Sequence, residues 1–460
     1  MDKATASLMS SQLQSHLNWS ARRITAAGTG VLASLLLLAA SAFSLAQSPP
    51  VRLSVIADHP DGSYRLGETI QWKVESAGDR PETQAFDYTL KKGGLKVIQQ
   101  GELQLTNGLA TLRAPASEPG TLLLEVKVTG TNGQRLRESG GAVIEPGQIR
   151  PAQSRPVDFD KFWKKKLKEL SKIPANPQLH PEDSGKSGVD YWQVSLDNIR
   201  GTHIRGQLAR PTGTGKLPAL LIVQWAGVYG LQKTWATDRA ASGWLVLNIN
   251  PHDLPIDKSP SFYEDQFKGP LKDYWAIGND DRDQSYFLRM YLSCYRAAEY
   301  LTTRKDWDSG TLVVMGTSQG GQQTLMTAGF HPKITAALAN VPAGCDLTGP
   351  IIDRSPGWPA WYYKTEGKDP AKVVEASRYY DVVNFASRIK CPVLVGVGLI
   401  DETCPPAGIL AAMNQIKGPK EVVLLPGSDH QGKNNTHKPF YDRSAVWMDA
   451  LVKGQGAPVR

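Results

Sequence analysis

Val313-Val314-Met315-Gly316-Thr317-Ser318-Gln319-Gly320-Gly321 joins an apolar, β-branched run to a Gly-x-Ser-x-Gly step, and Gln322 to Ala328 beyond it is helix-capable. A strand that turns sharply into a helix holds a serine at the tip of a tight elbow, hydroxyl outward. Side chains at Gly316 and Gly320 would collide with the neighbouring backbone in such a turn. The helix also points its positive end at the place where an acyl oxygen gains negative charge. The chemistry this pattern offers is nucleophilic attack by Ser318.

A serine hydroxyl is a poor nucleophile near neutral pH, so it needs a base within hydrogen-bond reach and a carboxylate to orient that base. On a sheet of this kind the three groups follow in the order Ser, acid, His, each just past a strand end. Val393 to Leu399 leads into Ile400-Asp401, and Val422 to Leu425 leads through Pro426-Gly427-Ser428-Asp429 to His430. Asp401 competes with Glu402 and is preferred as the first carboxylate off the strand, on the shorter side chain. His430 competes with His252, His331 and His437; it alone follows a late strand within a short glycine-containing loop. His437 lies in a polar run and reads as solvated. Asp429 is a lesser candidate for orienting His430, because adjacent residues rarely face one another.

An oxyanion hole needs two backbone N–H donors. Gln319, directly after the serine, supplies one; the loop Trp225-Ala226-Gly227-Val228-Tyr229-Gly230 after an early strand supplies the other, from Val228 first and Tyr229 next. The aromatic group Trp358, Trp361, Tyr362 and Tyr363 lies between the elbow and Asp401 and reads either as a sugar-stacking wall or as a hydrophobic cap on the core. The sequence has no His-x-x-x-His or Cys-x-x-Cys spacing, phosphate loop or dinucleotide fingerprint, so neither metal nor cofactor is expected.

These groups need a scaffold of alternating strands and helices. Strands are predicted at 191–196, 203–209, 219–224, 244–248, 312–315, 336–341, 393–398 and 421–425, and helices at 159–170, 283–302, 322–328, 407–414 and 443–452. Continuous apolar strands such as Leu220-Leu221-Ile222-Val223 are what a sheet buried on both faces requires. Residues 157–455 therefore read as one α/β-hydrolase domain with a mostly parallel central sheet. Before it, 51–146 shows seven short strand patterns broken by Asp61-Gly62, Gly93-Gly94, Asn107-Gly108 and Asn132-Gly133. That spacing predicts an immunoglobulin-like or fibronectin-like β-sandwich without catalytic groups. The proline-punctuated stretch 147–156 reads as a linker.

Residues 1–46 carry the marks of a secretory signal: Arg22-Arg23, the apolar run Val31 to Ala42, and the small-x-small step Ser44-Leu45-Ala46. The mature protein is expected outside the cytoplasm, with no membrane span. Of the formal net charge of +8, Asp2, Lys3, Arg22 and Arg23 account for +2. The remainder forms no stripe that would argue for nucleic acid. Lys161, Lys164, Lys165, Lys166 and Lys168 read as the solvated face of a helix whose apolar face is Phe159, Phe162, Trp163, Leu167 and Leu170. Among the four cysteines, Cys391 and Cys404 flank one strand and are held ~25 Å apart, beyond the ~7 Å that a disulfide tolerates. Cys345 and Cys404, each just past a strand end, are a possible bridged pair, with two buried thiols the alternative.

The segment Tyr380-Asp381-Val382-Val383-Asn384-Phe385 through Cys391-Pro392-Val393 to Ile400-Asp401, then Thr403-Cys404-Pro405-Pro406, resembles the acetyl xylan esterase / cephalosporin C deacetylase family. So does the elbow at Gly316 to Gly321, and the likeness runs from about Val157 to Val452. The resemblance implies Ser318 as nucleophile, Asp401 as orienting acid, His430 as base and Gln319 as one oxyanion donor. It also implies metal-independent removal of acetyl groups from carbohydrates and small esters, often by an oligomer. The chain departs from the family's pattern at Ala226-Gly227-Val228, where His-Gly-Tyr is usual, at Gln431, where Glu is usual, and in its N-terminal β-domain. The expected reaction is ester hydrolysis through an acyl-enzyme on acetylated carbohydrate. A peptidase of the prolyl-oligopeptidase type and a non-catalytic carbohydrate-binding protein on a hydrolase scaffold are the other readings of such a body.

Overall fold

A computed structural model describes residues 52–77, 85–129 and 135–460. The expected signal at 1–46 and the Asn132-Gly133 turn lie outside these residues. The N-terminal unit consists of β1 (Arg52–Ala57), β2 (Ser63–Tyr64), β3 (Thr69–Ala77), β4 (Ala85–Lys92), β5 (Lys96–Gln104), β6 (Leu109–Pro115), β7 (Gly120–Thr129) and β8 (Arg135–Ile144). They form a three-stranded sheet, β1-β3-β6, and a five-stranded sheet, β2-β8-β7-β4-β5. Alternate residues Ile70, Trp72 and Val74 of β3 meet Leu122, Leu124 and Val126 of β7 in a shared core, as the two-residue period of a strand requires.

The following elements are α1 (Phe159–Ser171), β9 (Gln178–Glu182), β10 (Val189–Asp197), β11 (His203–Pro211), β12 (Leu217–Ile222), α2 (Thr234–Ala241), β13 (Leu245–Ile249), α3 (Pro260–Lys268) and α4 (Tyr286–Thr303). Then come β14 (Trp307–Thr317), α5 (Gln319–Phe330), β15 (Ala336–Asn340), α6 (Pro370–Ser377), α7 (Val382–Ala386), β16 (Val393–Gly398), α8 (Pro406–Met413), β17 (Lys420–Leu425) and α9 (Lys438–Val452). Nine strands make one sheet in the order β17-β16-β15-β14-β12-β13-β11-β10-β9. The strands from β17 to β13 in that order are mutually parallel, and β11, β10 and β9 continue antiparallel.

The centre of the sheet is buried on both faces because β13, β15 and β16 carry almost only apolar residues. Ala219, Leu221, Val314, Ala337 and Val395 face one core with α1, α4, α5, α7 and α8. Leu220, Val313, Leu338 and Leu394 face the other with α2 and α9. All predicted strands appear within a few residues of their expected bounds; β2, β9, α2, α3, α6 and α7 were not anticipated. No helix among the described residues is long and apolar enough to cross a membrane.

Three expectations change. Lys166 is buried and paired with Glu169 (3.3 Å) and Asp283 (2.5 Å), while Lys161, Lys164, Lys165 and Lys168 are exposed. All four cysteines are free and buried, so the Cys345–Cys404 bridge is absent; the Cys345 thiol turns back to the carbonyls of its own loop. The stretch 147–156 is docked rather than free: Ile149 joins the main core, and the Ala152 N–H donates to Asp346 Oδ1 at 2.8 Å.

The N-terminal unit packs on the loops that leave β16 and β17. Val143 joins the main core, and Arg137 Nη2 donates to Glu402 Oε2 at 2.6 Å. Gly141 lies so close to Leu399 that a Cβ there would stand 2.4 Å from the Leu399 carbonyl oxygen. A Gly141→Ala substitution is expected to destabilise the protein by about 1–3 kcal/mol through overpacking. Chemical denaturation of the full chain checks this, and an unchanged midpoint would contradict the packing described.

Candidate active site

Parallel strands end at one edge of a sheet, and here that edge gathers the chemistry. Strand β12 has β13 on one side and β14 on the other, so the chain reverses its winding between β12 and β14, the place where open α/β sheets form a crevice. Ser318 follows β14 directly, at φ 57° and ψ −121°. Its N–H donates to Asn340 O at the end of β15 (3.0 Å), and its carbonyl accepts from Gln322 and Ala343 (3.0 Å each). The turn is possible because Gly320 lets the helix approach β12: a Cβ there would sit 2.5 Å from Val223 O. Ser318 precedes α5 but its side chain does not cap it, which leaves Oγ free.

Ser318 Oγ and His430 Nε2 are 2.9 Å apart. On the far side of the ring, His430 Nδ1 and Asp401 Oδ2 are 2.7 Å apart. The other carboxylate oxygen, Oδ1, accepts from the N–H groups of Thr403 and Cys404, both at 2.8 Å. The acid is thus held by its own loop on one oxygen and orients the ring with the other, fixing Nδ1 as the protonated nitrogen and Nε2 as the acceptor. Burial pushes the His430 imidazole down, but the Asp401 carboxylate outweighs it and the net shift is well upward. The arrangement can take a proton from the serine hydroxyl and hold it.

The rival residues are committed elsewhere. Glu402 pairs with Arg137. Asp429 accepts from the N–H groups of Gln431 (3.1 Å) and Lys433 (3.2 Å), so it shapes the loop rather than the imidazole. His437 is buried, not solvated, and its Nδ1 accepts from Asn340 Nδ2 at 3.1 Å. His331 is buried against Tyr295. His252 is buried beside Gly227.

Gln319 opens α5, and its side-chain Oε1 accepts from the Tyr274 hydroxyl at 2.6 Å. The same hydroxyl accepts the Gly227 N–H at 3.2 Å, so one buried tyrosine ties the elbow to the loop carrying Val228 and Tyr229. Val228 is half-buried against the main core. Tyr229 turns inward, stacked on Trp225 at 5.2 Å, with its O–H donating to Trp225 O at 2.9 Å. Sequence reading missed Tyr274 because it lies in a short turn, Tyr274–Ala276, with no periodic pattern to mark it.

Of the aromatic group, Trp361 is fully buried, its indole N–H donating to Trp275 O at 2.5 Å, and belongs to the core rather than to a cleft wall. Tyr362 lines a groove of about 410 Å³ with Gln153, Ile351 and Pro370, apart from Ser318, Asp401 and His430. Trp358 is half-buried, and its N–H donates to Thr403 O at 2.8 Å beside the acid. Asp401, Cys404 and His430 bring a carboxylate oxygen, a thiol sulfur and a ring nitrogen within 4.8 Å of one another. A metal ion there would have to break the imidazole–carboxylate contact, and burial keeps the Cys404 thiol protonated.

The family model described as "Acetyl xylan esterase (AXE1)" matches residues 145–449, well over half the chain. This chain belongs to the acetyl xylan esterase family. Its enzyme class follows: it is a carboxylic ester hydrolase. It is 30% identical over 430 residues to acetyl esterase Axe7A of Xylanibacter ruminicola, covering 90% of this chain and 95% of that one. That alignment is longer than the family region and reaches into the N-terminal unit. Among solved structures it is similar to an acetyl xylan esterase from Paenibacillus sp. R4 (27% identity, TM-score 0.55, 67% of this chain and 98% of that one). Acetyl xylan esterase 1 from Thermoanaerobacterium sp. JW/SL YS485 shares the fold at 23% identity and TM-score 0.58, with the same coverage. The main domain accordingly has the α/β-hydrolase fold.

The imidazole–carboxylate contact has a measurable consequence. The His430 pKa, followed by NMR or as the acid limb of kcat/KM against pH, is expected above the ordinary 6.5. Because the carboxylate stabilises imidazolium, Asp401→Asn is expected to lower that pKa and to reduce kcat by about 10⁴. An unmoved acid limb in Asp401→Asn would show that Asp401 does not set the charge of the ring.

Proposed function

We propose that the chain is a serine acetylesterase acting on acetylated carbohydrate through an acyl-enzyme. The observation that best supports this is the continuous contact Ser318 Oγ–His430 Nε2–His430 Nδ1–Asp401 Oδ2, at 2.9 and 2.7 Å. Ser318 attacks the ester carbonyl while His430 Nε2 takes its proton. The N–H groups of Gln319 and Val228 hold the oxygen that becomes negative. Imidazolium, stabilised by Asp401, returns the proton to the departing sugar oxygen, leaving acetyl on Ser318. Water then gives a proton to His430 and attacks the acetyl carbon. Acetate leaves, and the serine hydroxyl is restored.

Family membership supports the acetyl group and favours ester over peptide bonds. Cephalosporin-type acetyl esters are a further candidate substrate class. Of Trp358, Trp361 and Tyr362, Trp358 beside the acid loop is the one suited to stacking on a sugar. We read the N-terminal two-sheet unit as immunoglobulin-like and residues 1–46 as an export signal that leaves the mature enzyme outside the cytoplasm. We also read it as binding neither nucleic acid nor membrane, and as able to form a homo-oligomer.

Acetate release from acetylated xylan and from simple sugar acetates, wild type beside Ser318→Ala, tests the reading. Loss of about 10⁴-fold or more in kcat is expected for the variant. A variant that still hydrolyses these esters at the wild-type rate would refute the nucleophile. Faster cleavage of p-nitrophenyl butyrate than of the acetate would refute the acetyl preference.

A further inference from the structure

His252 stands outside the Ser318–His430–Asp401 chain, yet it is buried at the same end of the sheet. It follows β13 by three residues, in the turn Asn250-Pro251-His252. Its Nε2 lies 3.0 Å from Gly227 O and its Nδ1 2.6 Å from the Tyr286 hydroxyl. A carbonyl only accepts, so Nε2 carries the proton. Burial drives the ring's pKa down to about 3, so it stays neutral and Nδ1 accepts the Tyr286 O–H. The Arg289 guanidinium in turn donates to that tyrosine oxygen. Every donor and acceptor in the series from Arg289 to Gly227 therefore has one direction.

Gly227 C=O belongs to the same peptide group as Val228 N–H. In a trans peptide the two bonds point opposite ways, and Gly227–Val228 is trans. A donor pulling on the carbonyl aims the N–H away from itself, and it also polarises that N–H as a donor. The Tyr229–Gly230 peptide, two further along the same loop, is held as well, since Asn250 Nδ2 donates to Tyr229 O at 3.0 Å. On the other side, Gly227 N–H goes to Tyr274, which donates to Gln319. Side chains from the β13 turn thus bracket Val228, and Tyr274 sets its loop against the elbow. Gly227, at φ 127°, has the backbone latitude this turn needs.

We propose that His252 is a positioning residue for catalysis, a neutral imidazole that aims the Val228 N–H at the oxygen developing negative charge beside Ser318. The inference rests on the serine-esterase reading above. This chain has Ala226 where the resembling family carries histidine, and it brings an imidazole to the same loop from a different strand.

The test uses the full chain, an acetyl ester, and a methyl trifluoromethyl ketone whose adduct with Ser318 carries a negative oxygen. His252→Ala is expected to lower kcat by about 10- to 100-fold with KM within about threefold, below the loss from deleting an oxyanion donor outright. The inhibition constant of the ketone should rise by a similar factor, because it reports the charged tetrahedral state. His252→Gln, whose amide N–H can reach the Gly227 carbonyl, should recover most of both losses. Tyr286→Phe, which leaves the imidazole in place but removes its outer partner, should show the same pattern at about 3- to 10-fold, and serves if His252→Ala does not fold. A kcat within twofold of wild type in His252→Ala, or a kcat loss without weaker ketone binding, overturns the proposal. So does a His252→Gln variant no better than His252→Ala. Ser318→Ala separates the two levels: if it remains active the esterase mechanism itself fails. If it is inactive while His252→Ala is normal, only the positioning role fails.

Discussion

The backbone of Ser318 sits where residues with side chains are rarely found, and the rest of the site is arranged around keeping it there. A conformation of this kind costs about 1–3 kcal/mol and persists only when its surroundings over-determine it. They do so from three directions. The β15 end accepts its N–H, its carbonyl receives two N–H groups, and the first turn of α5 lies directly on the backbone of Val223 and Gln224. The strain therefore draws on the register of β12, β14 and β15, which is set by apolar residues far from any substrate. Sheet packing and the geometry of the site are one problem here, because the elbow tilts if the strands slip.

Asp401 and His430 arrive on separate loops, and the Asp401 loop has outside support. Asp401 is held by two N–H groups of its own turn, and Trp358 reaches the same turn through Thr403. The N-terminal unit adds a wall, with Gly141 against Leu399, two residues before the acid, and Arg137 against Glu402, one residue after it. An exposed ion pair such as Arg137–Glu402 contributes about 0–1 kcal/mol. The close packing at Gly141 is the stronger constraint, because backbone cannot yield as a side chain can. The N-terminal unit is thus continuous with the support of the acid loop rather than a tethered appendage.

What the sequence disclosed and what it hid divide along physical lines. The α/β body, the elbow and the order Ser318, Asp401, His430 were legible because apolar strands bounded by turns carry a local pattern. So was the choice of Asp401 over Glu402, since a strand end fixes which side chain faces the crevice. The fates of Trp361 and Lys166 were not legible. A tryptophan looks the same whether it packs inward or lines a cleft, and Lys166 is distinguished from its exposed neighbours by carboxylates on other elements. Cys345 and Cys404 show the same limit, for proximity of strand ends does not determine where each sulfur points. Short helices such as α6 and α7 begin at Asp369 and Asp381 caps that the sequence contains, but their length gives too few turns for a periodic signal.

Four buried or largely buried histidines show how environment rather than residue type assigns chemistry. His252, His331, His430 and His437 all lose water, and in each that loss alone disfavours the charged ring. In three the net shift is downward, to about 3 for His252 and about 4 for His331. His430 alone has a carboxylate against Nδ1, and it alone moves upward. A ring that cannot accept a proton in the working pH range is a fixed dipole, useful for holding a carbonyl as His252 holds Gly227. A ring with a buried counter-charge can take a proton and return it. The separation of these two tasks between His252 and His430 requires only that Asp401 reach one ring and not the other, which the strand order from β13 to β16 secures.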